Sequence, residues 1–224
     1  MAAQGTTTAA ADKRRVILDA AMRVFARQGF HTCRVSDIAD EAGVAYGLVY
    51  HYFSSKDEIL DTLFLERWNL MLGAIAETDR SERSPREKLA AIAGFIVDSY
   101  RYEPDLMKVI VVEVTRAANT FGRTHLVKIR EAYAQIAGIV ERAQAEGIFR
   151  PEITPEFAAL AFYGSIEQVL TRWIFDRDAV GDDDLEGAKR MIVETICRGL
   201  ERDSTEAALG VVAKASAGDA SMSD

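Results

Sequence analysis

Between Thr32 and Glu58 the chain reads as a helix, a glycine turn, a second short helix and the start of a third. Apolar residues fall at Val35, Ile38, Ala39 and Ala42, the i, i+3, i+4, i+7 spacing of one buried helix face. Gly43 follows the last of them, where a left-handed residue ends a helix and a Cβ would cost energy. Val44 then plugs the angle between the two helices. The second helix runs from about Ala45 to Tyr52, with Val49 and Phe53 facing inward one turn apart. Tyr46, Gly47, Leu48, Tyr50, His51 and Tyr52 are left to point elsewhere. Exposed aromatics in that number mark an interaction surface. Phenol and imidazole groups donate to phosphate oxygens or touch base edges, and Gly47 lets a duplex approach the backbone closely. The layout is that of a helix-turn-helix, which lays one helix in the DNA major groove.

Ser54-Ser55-Lys56-Asp57-Glu58 opens a long helix. Ser55 with Glu58 has the spacing of a capping box, and the acidic pair suits a helix N-terminus. Lys56 opposes the helix dipole there, so a phosphate contact is its expected role. Upstream, Val16, Ile17, Ala20, Ala21, Val24 and Phe25 stripe one helix that ends at Gly29. Lys13, Arg14, Arg15, Arg23 and Arg27 make this end basic in a chain of net charge −8. A basic end on an acidic protein is the expected footprint of a local nucleic-acid surface.

At Ile38-Ala39, Ala42-Gly43-Val44, Gly47, Tyr50, Tyr52-Phe53, Lys56 and Leu60 the chain resembles the TetR family of bacterial one-component regulators. The resemblance spans residues 12–65, and Glu146-Gly147-Ile148-Phe149-Arg150-Pro151 is similar to the family's loop before its last two helices. It implies an all-α fold: an N-terminal three-helix helix-turn-helix domain, then a C-terminal helical ligand-binding and dimerisation domain. It places DNA contacts at Arg34, Ser36, Tyr46, Gly47, Leu48, Tyr50, His51, Tyr52 and Lys56. Two positions depart from the family pattern. Ala45 stands where a serine is common, at a typical capping penalty of ~1 kcal/mol. Leu48 stands near a usual threonine and is left to touch a thymine methyl.

The expected organisation is a disordered arm over residues 1–11, a DNA-binding domain over 12–58 with its motif at about 34–53, a ligand-binding and dimerisation domain over 59–202, and a flexible tail over 203–224. Stripes at Leu60, Phe64, Trp68, Met71 and Ile75, then Leu89 to Tyr100, then Leu126, Ile129, Tyr133, Ile136 and Val140, mark successive helices. The run Val109-Ile110-Val111-Val112 is β-branched and by local propensity suits a strand; the resemblance favours helix. Thr154-Pro155-Glu156 starts a helix with proline at its first position. That helix carries Phe157, Leu160, Phe162, Ile166, Val169, Leu170, Trp173 and Ile174 around most of its circumference, so it is buried on several sides. With the last helix it would build a four-helix bundle across a two-fold axis, and Phe157, Leu160, Leu170, Trp173, Ile192 and Ile196 are the expected dimer contacts.

Effector-pocket candidates are Trp68 and Leu72, then Phe95, then Met107, Ile110, Val111 and Val114, then Phe121, Ile129 and Tyr133, and last Phe162 and Ile166. The plainer reading of each is a core residue, since an aromatic or Met stripe at helical spacing is usually packing. Glu113, His125, Glu167, Gln168 and Arg172 are polar residues near apolar stripes that either orient a ligand or sit exposed at the edge. An apolar or amphipathic ligand is implied. Similarity to the family's fatty-acid-metabolism branch, at residues 46–56, Gly164-Ser165-Ile166-Glu167 and Thr171-Arg172-Trp173, implies fatty acyl-CoA. Arg116, Arg123, Lys128 and Arg130 then meet CoA phosphates or form a solvated face.

The expected function is a dimeric transcriptional regulator, a repressor released from a palindromic double-stranded operator by a small molecule. The alternative is a helix-turn-helix that docks to protein partners. An enzyme is not expected: no metal-ligand spacing, no glycine-rich loop after a strand and no nucleophile set can be assembled. No cofactor is expected. No apolar run of about 18 residues or more suggests a membrane span, and the N-terminus lacks the basic start and apolar core of a secretory leader. Cys33 and Cys197 suit a reduced, cytoplasmic setting.

Overall fold

A computed structural model of the chain describes residues 3–114, 123–176 and 180–201. Its helices are α1 (Ala3–Gln28), α2 (Val35–Ala42), α3 (Tyr46–Tyr52), α4 (Lys56–Asp79), α5 (Pro85–Tyr102), α6 (Pro104–Lys108), α7 (Arg123–Ala145), α8 (Pro155–Phe175) and α9 (Asp182–Leu200). Among the described residues there is no β-strand, and only Phe149 and Glu201 meet in an isolated antiparallel bridge. The expected all-α architecture is present. Phe121, Arg116 and the segment after Glu201 lie outside the described residues.

Three local differences from the sequence expectations have physical causes. First, α1 starts at Ala3 instead of after an irregular arm; Ala9-Ala10-Ala11 are the best helix formers available and continue the helix backwards. Second, the β-branched run forms neither strand nor α-helix but a π-helical turn, Val109–Val114, directly after α6. Branched side chains crowd the preceding turn of an α-helix, and a π turn is wider. Third, the capping box at α4 is displaced. The Ser55 hydroxyl accepts from the Glu58 N–H at 3.1 Å, but the Glu58 carboxylate takes the N–H and O–H of Ser54, both at 2.6 Å. A full box, unmarked in the sequence reading, caps α5 through Ser84 and Glu87.

The helices share one continuous core. In the N-terminal unit, Ile17, Phe25, Ile38, Val49 and Phe53 are buried together. Leu18 replaces Val16 in the α1 stripe, since Val16 is 41% exposed. Further on, α7 packs on α8, α5 on α9, and α4 on both α5 and α7. Ion pairs join α5 to α9, Arg86 with Glu201 at 2.8 Å and Lys189 with Asp98 at 2.5 Å. The core does not stop at residue 58: α1 packs directly on α6 and on the π turn. The two units therefore touch through α6 as well as through the long α4.

Candidate functional site

The α2–α3 corner is built around Gly43, whose φ of 64° is left-handed. The Val44 N–H reaches the Ala39 carbonyl at 3.0 Å and the Gly43 N–H reaches Asp40 at 3.2 Å, closing the C-terminus of α2 as a Schellman turn does. At the other end, the Asp37 carboxylate accepts the Arg34 backbone N–H at 2.8 Å, leaving the Arg34 guanidinium exposed. Ala45 caps α3 with extended backbone and no side-chain bond.

Helix α3 is pinned by Val49 and Phe53, 1% and 2% exposed. Its opposite face carries Tyr46, Gly47, Tyr50 and His51, all exposed. The Tyr46 and Tyr50 rings meet edge to face at 5.2 Å. The Tyr46 and Tyr50 hydroxyls share a hydrogen bond at 3.3 Å, which raises the Tyr50 phenol above its ordinary pKa. A Cβ added at Gly47 would meet nothing within 4 Å, so no internal packing calls for glycine there. Leu48 and Ser36 are half-buried. Tyr52 is half-buried against the core and turns its ring toward His51 at 5.1 Å.

Two expectations change. Lys56 is committed internally: its ammonium donates to the carbonyls of Phe30 at 2.6 Å and Cys33 at 3.0 Å, and lies 4.5 Å from the centre of the Phe30 ring. It ties the α1–α2 loop to α4, which answers why a lysine stands against the dipole. The basic end is also largely paired. Arg23 and Arg27 share Glu41 at 2.8 and 3.1 Å, holding its carboxyl below the ordinary range. Arg14 and Arg15 share Glu66 at 3.2 and 3.4 Å. These arginines brace α1 against α2 and α4. Among the described residues Lys13 and Arg34 form no ion pair.

Behind α4 lie two small adjoining chambers of about 20 and 130 Å³ that open to solvent. They share Trp68, Ile110 and Tyr163. Of the pocket candidates, Trp68, Met107, Ile110, Val111, Ile129 and Tyr133 line them. Leu72, Phe162 and Ile166 are core, between 0% and 6% exposed. Phe95 supports a chamber wall from behind, under the Arg67 guanidinium at 5.1 Å. Val114 closes the π turn, and Phe121 lies outside the described residues. The sequence reading missed Arg67 and Tyr163. Arg67 sits beside Trp68 on a helix whose stripe accounts only for apolar residues, and Tyr163 lies between Phe162 and Gly164 off the main stripe.

Glu167 is the polar candidate that lines a chamber, its carboxyl raised by burial. Gln168 and Arg172 are exposed, and Arg172 pairs with Asp176 at 3.1 Å. His125 is buried on α7, 3.4 Å from Asp61 of α4 and edge-on to Phe64 at 4.1 Å. Cys33 is buried, with its thiol donating to the Phe30 carbonyl at 3.4 Å. Burial pushes the Cys197 thiol up to about 11. Neither environment activates a thiolate.

The expected dimer contacts separate into two sets. Phe157 and Leu160 project outward, 62% and 54% exposed, and Met191 of α9 joins them at 63%. Leu170 and Ile192 are buried within the protomer, at 1% and 6% exposure, because α8 and α9 pack on each other through them. Trp173 stacks on Tyr100 at 5.5 Å, and Ile196 is half-buried.

Comparison with known proteins gives a consistent result. Residues 17–63 match the bacterial regulatory proteins of the tetR family. Residues 85–196 match the tetracyclin repressor-like C-terminal domain. The chain is 28% identical to the fatty acid metabolism regulator protein of Bacillus subtilis (strain 168) over 185 residues, 82% of this chain and 93% of that one. It is 26% identical to the transcriptional repressor KstR2 of Rhodococcus jostii (strain RHA1) over 168 residues, 75% and 82% of the two chains. The solved structure of FadR from Bacillus subtilis in complex with stearoyl-CoA superimposes with a TM-score of 0.74 at 25% identity, covering 83% of this chain and 98% of that one.

Proposed function

The chain belongs to the TetR family of bacterial regulatory proteins, and from that premise we propose how its residues carry out the work of a ligand-released transcriptional repressor. It is a DNA-binding regulator and not an enzyme, and it acts on its operator as a homodimer. Helix α3 is the groove-reading helix. The observation that carries this is its division into a face locked inside by Val49 and Phe53 and an outer face of Tyr46, Gly47, Tyr50 and His51. Arg34 and Ser36 at the start of α2 flank it. No observation favours docking to a protein over DNA. A cytoplasmic location follows from a DNA target, and among the described residues no helix is long and apolar enough to cross a membrane.

A single α3 reads few base pairs, so two copies must reach half-sites about 34–36 Å apart or a multiple of that. Phe157, Leu160 and Met191 present the apolar surface across which α8 and α9 of two chains would pair. The twin chambers behind α4 are the effector site, and a long-chain acyl-CoA is the favoured effector class, by likeness to the fatty acid regulators. Its binding reaches α3 by two routes: α4, which carries Trp68, and the α6–π segment, which lines the chambers with Met107, Ile110 and Val111 and packs on α1. The effector must bind the DNA-incompetent arrangement more tightly than the competent one; coupling in such systems is ~1–3 kcal/mol.

The test is fluorescence anisotropy with duplexes from the chain's own upstream region. Binding should weaken steeply with salt, and stearoyl-CoA should release the DNA. Binding that ignores both salt and acyl-CoA refutes the reading.

A further inference from the structure

The chamber walls hold polar groups for which the described residues supply no hydrogen-bond partner. Trp68 is 5% exposed and its indole Nε1 is buried without a hydrogen-bond acceptor. A buried donor left unmade costs about 1–3 kcal/mol, so an indole in a cavity wall is an expensive filler where phenylalanine would serve. Arg67 borders the same chamber. It forms no hydrogen bond or ion pair among the described residues; its guanidinium lies 5.1 Å from the centre of the Phe95 ring and feels the Glu103 carboxylate at longer range. Burial pulls the guanidinium below its ordinary pKa. Glu167 borders the neighbouring chamber and likewise has no hydrogen bond or ion pair to a described residue. Arg67 and Glu167 both adjoin Tyr163, yet they do not pair with each other. Trp68 Nε1 is the fully buried group of the three, and Arg67 and Glu167 are half-buried; a cation, an anion and an indole N–H border one cavity with no hydrogen bond or ion pair to a described residue.

We infer that the effector supplies the missing partner: an oxygen function carried inside the cavity, on the otherwise apolar part of the molecule. A ketone or other carbonyl oxygen there accepts from Trp68 Nε1 and the Arg67 guanidinium. A hydroxyl there donates to Glu167. The apolar remainder lies against Phe64, Ile110 and Ile129. This rests on the chambers being the effector site, and it sets a preference within that reading: an oxygenated chain over a saturated chain of equal length. The discrimination is the kind a site achieves when its own polar groups stay unpaired with the wrong ligand.

The experiment is calorimetric titration of the full chain with stearoyl-CoA and with oxostearoyl-CoA and hydroxystearoyl-CoA series in which the oxygen is walked along the chain. At least one oxo position should bind about 10-fold tighter than stearoyl-CoA, a gain of ~1.4 kcal/mol. Trp68→Phe should erase the oxo advantage, read as the ratio of oxostearoyl-CoA to stearoyl-CoA affinity measured on the same variant, whatever the change in stearoyl-CoA affinity itself. Glu167→Gln should change the ranking of the hydroxy series alone. Arg67→Met provides a second test of the oxo advantage should Trp68→Phe fold poorly. Equal affinity for every oxygenated and saturated chain overturns the inference but keeps the effector site. An oxo advantage that survives both Trp68→Phe and Arg67→Met also overturns it. No binding of any chain to a protein that still binds its operator overturns the effector site itself, and the inference with it.

Discussion

Gly47 and Lys56 look alike in the sequence, two residues that local helix physics does not ask for, and they have opposite explanations. Gly47 has open space where its Cβ would sit. Alanine there should raise stability by about 0.4–1 kcal/mol, as the unfolded chain loses freedom, while operator affinity falls because a methyl group meets the duplex. Paired urea melts and anisotropy titrations check this; an alanine variant with full affinity would show that no close approach occurs. Lys56 holds two carbonyls of the α1–α2 loop. Lys56→Met should cost about 1–3 kcal/mol by leaving those acceptors unmade, seen as a lower urea midpoint. Were its role only a phosphate contact, the midpoint would stay and the salt slope alone would shrink. Sequence reasoning sees that both residues are unusual, but it cannot see which atoms come near them from 20 or more positions away.

Among helices, α4 and α7 meet at a titratable contact between His125 and Asp61, besides the Arg142–Asp79 ion pair. His125 is pushed below the ordinary histidine value of 6.5 by burial, and the Asp61 carboxylate opposes that shift. A depressed pKa means the folded protein prefers neutral imidazole. The corresponding stability is fully present above pH 6.5 and drains as pH falls through the lowered value. Urea midpoints from pH 7.5 down to 5 should therefore fall more for the parent chain than for His125→Gln. Matching slopes would mean that this contact does not feel the folded environment. Helical periodicity located α4 and α8 well, because apolar residues recur along each at helical spacing. It misplaced residues where two faces are buried at once. Leu170 and Ile192 look like a dimer seam in sequence, yet they pack inside the protomer. The π turn at Val109–Val114 escaped notice because β-branched runs suit strand and distorted helix alike.

An outward apolar surface on α8 and α9 and the exposed outer face of α3 lie on different units of one chain. Phe157→Glu with Leu160→Glu should yield a monomer in sedimentation. Its operator affinity should fall about 100-fold or more, since paired half-sites lose their linkage. Each monomer should keep its helical content, because both side chains are exposed. A double variant that stays dimeric would place the interface elsewhere. The paired arginines belong to this view as well. Four cations that appear in sequence as a DNA-binding charge are spent on Glu41 and Glu66, bracing α1. Among the described cations of this end, Lys13 and Arg34 are the ones with no ion pair, so the proposed DNA contact would draw first on them.

Family, helical class and the short helix α3 with its inner and outer faces were readable from residue order, because each rests on local spacing: a stripe every third or fourth residue, a glycine at a left-handed corner, a hydroxyl or proline at a helix start. Partnership was not readable. Whether an arginine meets a carboxylate or a cavity, whether a leucine faces its own core or another chain, and whether an indole N–H finds an acceptor all depend on contacts between helices far apart in the chain. Those distances exist only once the helices have packed, and in this protein they decide which residues are free to meet DNA or an effector.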